Sequence, residues 1–468
     1  MAREESVAVV GAGLAGCLLA TLLGRRGVPV TVYERRPDPR VAGPERGRSI
    51  NLAISTRGLA ALEEVGLREE ALARALPMHG RMVHPLGAGR NFQPYSADRT
   101  RAINSISRAE LNLALLDAAE ATPGVTVRFG HRLTNVDAAK GRLTLETPDG
   151  VVAEDAGVVL ACDGAYSAAR RTIEGVEPFT CTQDFLEHGY KELTIPPTPG
   201  GDFALDPDAL HIWPRGDAMM IALPNLDRSF TCTLFWPKAD FDALDTPHRV
   251  REHLRARYPD AAGLMPGLVD DFARNPVGSL VTVRCWPWVR FGRGATVALL
   301  GDAAHAIVPF YGQGANCAFE DCVEIDRCLE ETGGNWRRAL SLYQERRKPN
   351  TDAIAQMALD NFVEMRDRVA SPVFRLGQAA QHVLERRLPG RYVSRYELVS
   401  FSTVPYARIP ERIRRQNQAL AAAGLAAFAA TGLTVRATRA ALRRRSAAAP
   451  PAAGARAVRA VRALRRSR

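Results

Sequence analysis

Apolar residues in this chain fall into three kinds of run. Short buried-strand patterns stand at 7–10 (VAVV), 28–34 (VPVTVYE) and 295–300 (ATVALL). Their length and hydrophobicity suit strands covered on both faces of a parallel sheet. Alternating patterns such as TCTLF (231–235) recur between about Thr180 and Gly278 and predict an antiparallel sheet. From Trp336 the pattern becomes helical, through RRALSLYQERRKPNTDAIAQMALDNFVEM (337–365). No internal repeat interrupts this order.

The links between runs carry the chemistry. After the first strand, Gly11, Gly13 and Gly16 fit GxGxxG. Gly11 permits the tight turn, Gly13 lets backbone approach a pyrophosphate, and Gly16 lets the helix pack close to the strand. The N-terminus of that helix then faces the phosphates. Glu34 ends the second strand eighteen residues later, where an acid accepts ribose hydroxyls and repels a 2′-phosphate. A glycine-rich turn in another α/β fold is the alternative reading. The third run ends in Gly301 and Asp302, with His305 just beyond. An aspartate there suits the ribityl hydroxyls of a flavin, a chain that NAD lacks; alone it would read as an ordinary helix N-cap. YGQGANCAFED (311–321) starts another helix, and N–H groups around Gly314 and Asn316 are placed to stabilise negative charge on a reduced flavin.

With ACDGAYSAAR (161–170), these motifs resemble the single-component FAD-dependent aromatic hydroxylases. More narrowly, GRSINLAIS (47–55), HGRMVHPLG (79–87), ALPNLDRSFTCTLF (222–235), MALDNFVEMRD (357–367) and RYELVSFSTVPYA (395–407) resemble the kynurenine 3-monooxygenase branch, in its order, from residue 7 to about 407. The resemblance implies that Asp163, Arg48 and Arg108 contact FAD. It implies that Arg81 and Tyr95 bind a substrate carboxylate, with Asn361 at the same end. Met219, Ile221 and Phe235 would roof an aromatic ring. Gln313, at the substrate ketone and flavin edge, and Tyr406, reaching the pocket, are the expected catalytic positions. The implied reaction hydroxylates L-kynurenine through a flavin C4a-hydroperoxide. NADPH would be the transient co-substrate, with NADH the alternative, and O2 the oxidant. A hydroxylase of a modified kynurenine or an anthranilate-like compound, and a non-catalytic flavin-binding scaffold, are the competing readings. Tyr311, where relatives carry histidine or phenylalanine, and Phe362, in place of tyrosine, depart from the branch.

The expected architecture is an α/β protein. A Rossmann-type FAD-binding domain comprises 1–75, 98–179 and 279–335, and a substrate-binding sheet domain 76–97 and 180–278. A helical region follows at 336–418, then an Ala-rich segment and Arg-rich tail at 419–468. At 468 residues and 46% hydrophobic, the chain can bury a sizeable core. Eight scattered cysteines with no CxxC pair point to buried thiols in a reducing compartment, and a first strand beginning at Val7 predicts no cleaved signal peptide. No metal-ligand spacing stands out.

Net charge is +11, and 436–468 alone hold eleven arginines and no lysine or acid. Residues 1–435 are therefore neutral, which argues against a nucleic-acid-binding face. Before that tail lie seventeen uncharged residues, 419–435, rich in alanine. That is short and weakly apolar for a membrane span. A cytoplasmic enzyme is expected, with weak association of this end with anionic lipid as a further option.

Overall fold

The computed structural model describes residues 6–42, 51–96, 99–175, 178–368 and 371–447. The apolar runs assemble a six-stranded sheet in the order Val289–Phe291, Thr296–Leu299, Val158–Ala161, Val7–Val10, Val30–Tyr33, Val125–Arg128. All its pairings are parallel except the hairpin of the first two strands. The runs 7–10, 158–161 and 296–299 are buried at every residue. A strand covered on both faces needs side chains that lose little on leaving water, which is why these segments are Val, Leu and Ala apart from Thr296. Helices Leu14–Arg25, Arg108–Glu120 and Gly314–Glu331 pack around this sheet, sharing a core with Val9, Leu18, Leu115, Leu160, Val297 and Phe319.

The second large sheet has seven strands, ordered Gly278–Trp286, Thr180–Ile195, Phe230–Pro237, Met219–Pro224, Ala209–Pro214, Gly80–Val83, Asn91–Pro94. It is antiparallel except where Gly80–Val83 runs parallel to Ala209–Pro214. Its alternation has a clear physical result. Leu234 and Trp236, with Met220 and Ala222, enter one core with Phe272 and Leu254 from the covering helices. The residues between them, Phe235, Met219 and Ile221, point to the opposite face and line a cavity. Three strands, Leu52–Ile54, Ile103–Ile106 and Ala75–Met78, form a small antiparallel sheet nearby.

The helical region opens with Trp336–Val363, which tolerates Pro349 in its interior, and continues as a π-turn over Glu364–Arg368. Helices Pro372–Arg387 and Arg395–Ser400 follow, then a 39-residue helix, Ile409–Ala447. By contacts, Met1–Pro410 form one unit, both large sheets included, and Glu411–Arg468 a second. Among the described residues, no helix is long and apolar enough to cross a membrane. All eight cysteines are free thiols.

Candidate active site

A cavity of about 290 Å³ is lined by strands of the seven-stranded sheet and by the turns that follow strands of the six-stranded one. On one side, the glycine-rich turn divides its labour as its geometry requires. Gly11 has φ +100°, and an added Cβ would lie 2.7 Å from the Cys162 carbonyl oxygen. At Gly16 a Cβ would fall 1.9 Å from the Gly11 carbonyl oxygen. At Gly13 a Cβ would meet nothing within 4 Å, and Gly13 lines the cavity. The turn is thus tight at its two ends and open in the middle, which suits a phosphate at the start of the Leu14–Arg25 helix. Glu34 is buried at the end of its strand. Its Oε2 accepts the Ala12 N–H at 2.8 Å, and its Oε1 accepts from Arg36 N and Nε at 3.0 and 2.9 Å.

Gly301, Asp302 and Gly314 line the same cavity, as do Arg108, Cys162 and Gly164. Gly301 takes φ +54° to turn the chain, and Asp302 is exposed at the start of a four-residue helix, Asp302–His305. The first-turn N–H groups of Gly314–Glu331 have no carbonyl four residues back within the helix, so its positive end opens on the site. Asp163 does not face the cavity. Its Oδ2 accepts from Ala168 and Ala169 N–H at 2.7 and 3.2 Å, capping the Ala168–Glu174 helix, while Oδ1 is buried without a partner. Asn316 also stands behind the wall. Its Oδ1 accepts from Ser55 and Gly58 N–H and its Nδ2 donates to Ala53 and Gly312 oxygens, so the amide is saturated by backbone. Arg48 lies outside the described residues.

The same cavity collects the predicted substrate residues. Met219, Ile221, Phe235, Arg81 and Tyr95 all line the cavity. Arg81 and Tyr95 are each 5% exposed, and Arg81 Nε and the Tyr95 hydroxyl are buried without a hydrogen-bond partner. Buried donors left unpaired are costly, so such a pair marks a place for an acceptor from outside the chain. Glu364 Oε1 approaches Arg81 Nη1 only to 4.0 Å. Burial raises the Tyr95 phenol well above its ordinary range, and the nearby Tyr396 adds to that, which keeps Tyr95 a neutral donor.

Tyr396 is the residue that sequence reasoning missed. Its ring stacks on Tyr95 with centroids 4.8 Å apart, and the Arg81 guanidinium carbon lies 4.6 Å from its centroid. Tyr406, chosen from the same RYELVSFSTVPYA segment, lies elsewhere. It is fully buried beneath Arg57, whose guanidinium carbon is 3.8 Å from the ring centroid, and its hydroxyl donates to Gln313 Oε1 at 2.8 Å. Neither Gln313 nor Tyr406 is among the cavity-lining residues, so the side chains expected at the reacting atoms hold one another behind the wall. The physical reason is local. The Arg395–Ser400 helix presents Tyr396 to the cavity, while a 3-10 turn at Tyr406–Arg408 carries the second tyrosine past it. Asn361 is a brace as well, its Nδ2 donating to the Phe310 carbonyl at 2.6 Å. Phe310 stacks on Phe362 at 4.1 Å and meets Phe235 edge-on at 5.0 Å, and Tyr311 closes the wall beside Tyr396 at 5.8 Å.

The residues present fit FAD. Gly13 opens where a pyrophosphate needs space, a helix start faces the site, and Asp302 and Arg108 stand along its length. Residues 4–358 match the family described as FAD binding domain. The kynurenine 3-monooxygenase of Myxococcus xanthus (strain DK1622) is 51% identical over 410 residues, covering 86% of this chain and 88% of that protein. The kynurenine 3-monooxygenase of Dictyostelium discoideum is 44% identical over 430 residues, covering 89% and 92%. In fold, the chain is similar to the tetrameric form of 2-methyl-3-hydroxypyridine-5-carboxylic acid oxygenase, with a TM-score of 0.64 at 21% identity over 82% of this chain and 98% of that one.

Proposed function

This chain belongs to the kynurenine 3-monooxygenase family of FAD-binding enzymes, and from that premise we propose that it hydroxylates L-kynurenine to 3-hydroxy-L-kynurenine. NADPH and O2 are consumed, one oxygen atom entering the ring and the other leaving as water. FAD supplies the electron storage and oxygen activation that amino-acid side chains lack. The chain's own residues bind, orient and keep the site dry. Gly13 and the helix start behind it hold the pyrophosphate, Glu34 the ribose, and Asp302 and Arg108 the ribityl chain.

The observation that carries the substrate reading is the pair of buried, unpartnered donors, Arg81 Nε and the Tyr95 hydroxyl, on residues that line the same cavity as the Gly301–Asp302 turn. A guanidinium and phenols grip a carboxylate with direction as well as charge. Tyr396 joins that clamp. With the amino-acid end fixed there, the aniline ring lies against Met219, Ile221 and Phe235. Its ring amine activates the ortho carbon, the position that is hydroxylated. The apolar lining excludes water, which would otherwise divert oxygen to peroxide. Asn361, Gln313 and Tyr406 act by holding the Pro309–Gln313 segment in shape.

The test is NADPH consumption by the FAD-loaded protein with and without L-kynurenine, following product mass and peroxide together. Stimulated consumption with a product heavier by one oxygen atom supports the reading. Stimulation giving peroxide alone, or no stimulation, overturns kynurenine as the substrate.

A further inference from the structure

One buried charged cluster has no part in the proposed reaction. Behind the Asp302–His305 turn, Asp321 on the Gly314–Glu331 helix is fully buried. Its Oδ2 accepts the Gly301 backbone N–H at 3.0 Å and His305 Nε2–H at 2.6 Å, and its Oδ1 accepts Arg347 Nε–H at 2.7 Å. Ligand atoms of His305, Cys317 and Asp321 lie within 4.8 Å of one another, a set that by chemistry alone suits a metal ion. The cation is already there. Arg347 Nη2 donates to the Cys317 carbonyl at 3.0 Å and lies 3.2 Å from its sulfur. The cluster is therefore a brace filled by a guanidinium.

What it braces is the cofactor side of the cavity. One carboxylate holds both ends of the turn, Gly301 and His305, and fixes them to the helix whose N-terminus faces the same cavity. The approach leaves no slack, since a Cβ on Gly301 would lie 3.1 Å from the Ala318 Cβ. Arg347 passes the restraint on to Glu320 at 2.9 Å, and Glu320 to Arg57 at 2.7 Å, whose guanidinium lies over the Tyr406 ring.

We propose that Asp321, with His305, is a positioning residue for FAD: it sets the Asp302 turn against the start of the Gly314–Glu331 helix so that both meet the flavin in register. This rests on the FAD reading of the site.

The test uses the full-length apoprotein, titrated with FAD by quenching of flavin fluorescence, with the visible circular dichroism of the bound flavin as a second readout. Asp321→Asn is expected to weaken FAD by about 100-fold and to change the visible band, because one amide cannot accept three donors. If Asp321→Asn does not fold, a second pair decides. His305→Gln keeps an N–H for Asp321 and is expected within about 3-fold of wild type, whereas His305→Leu, of similar size, is expected to be about 10-fold weaker. Rescue by glutamine but not leucine separates hydrogen bonding from packing. A folded Asp321→Asn with wild-type affinity and spectrum, or equal affinities for the two His305 variants, overturns the proposal. Wild-type apoprotein that binds no FAD overturns the cofactor reading and the proposal with it.

Discussion

Removing the Arg81 guanidinium should raise the KM for kynurenine by about 100-fold, the cost of losing one partner of a buried charge-assisted pair. Steady-state kinetics of Arg81→Met would show it, with kcat moving far less; an unchanged KM would remove the carboxylate clamp from the reading. The two tyrosines of the RYELVSFSTVPYA segment give a sharper contrast. Tyr396→Phe is expected to raise KM by about 10-fold, since Tyr396 is packed against both Arg81 and Tyr95 at the cavity wall. Tyr406→Phe should leave KM within about 2-fold, because that hydroxyl is spent on Gln313. Equal effects of the two substitutions would undo the assignment. At this scale the sequence was uneven evidence. Arg81, Tyr95, Met219, Ile221 and Phe235 were legible and do meet at one cavity. Which of two tyrosines ten residues apart turns inward was not, because a short helix followed by a 3-10 turn sets no single period. Nor could spacing show that Asp163 caps a helix with one oxygen, or that Asn316 is saturated by backbone.

The strands and helices bring a pH response of their own. His84, at the end of Gly80–Val83, bonds through Nδ1 to Asp260 at 2.7 Å and through Nε2 to His211 Nδ1 at 2.9 Å. That chain ties the strand bearing Arg81 to Ala209–Pro214 and to the Pro259–Ala262 turn. Burial lowers the His211 pKa from 6.5 to about 4, an Asp206 backbone hydrogen bond opposing it in part. The folded state therefore binds fewer protons than the unfolded chain between those values. Its contribution is full above pH 6.5 and is lost as the pH falls toward 4, by up to about 3 kcal/mol. Thermal unfolding should show wild type losing several degrees between pH 7 and 4.5, with His211→Asn losing fewer; parallel losses would clear His211 of the role. The strands themselves were readable, since strict alternation told which residues face the covering helices and which the cavity. Their partners were not. Nothing local in HGRMV announces a parallel pairing with a strand some 130 residues away.

For the molecule as a whole, FAD should act as a clamp on the folded state. Its proposed contacts run from Gly13 to Gly314, so unfolding any part of that core releases it. At FAD about 100-fold above its dissociation constant, stabilisation should approach 2.7 kcal/mol, and the melting midpoint should climb with FAD concentration. A midpoint indifferent to FAD would mean that the cofactor rests on a locally unfolding segment. Charge was the most legible global property: the arginines of 436–468 carry the whole excess, and no sheet residue need be invoked. The long Ile409–Ala447 helix was less so, because alanine favours helix without saying what covers it. The strand order has a last consequence, for synthesis. Val7–Val10 leaves the ribosome ahead of its sheet neighbours, yet it is flanked by Val158–Ala161, which in turn needs Thr296–Leu299. At about 5–20 residues per second, the strand has Val30–Tyr33 beside it early but waits roughly 8–30 s for its second neighbour. A chain cut short before Tyr396 would lack the aromatic flank of its pocket, so translation must run past that residue before a competent enzyme can exist.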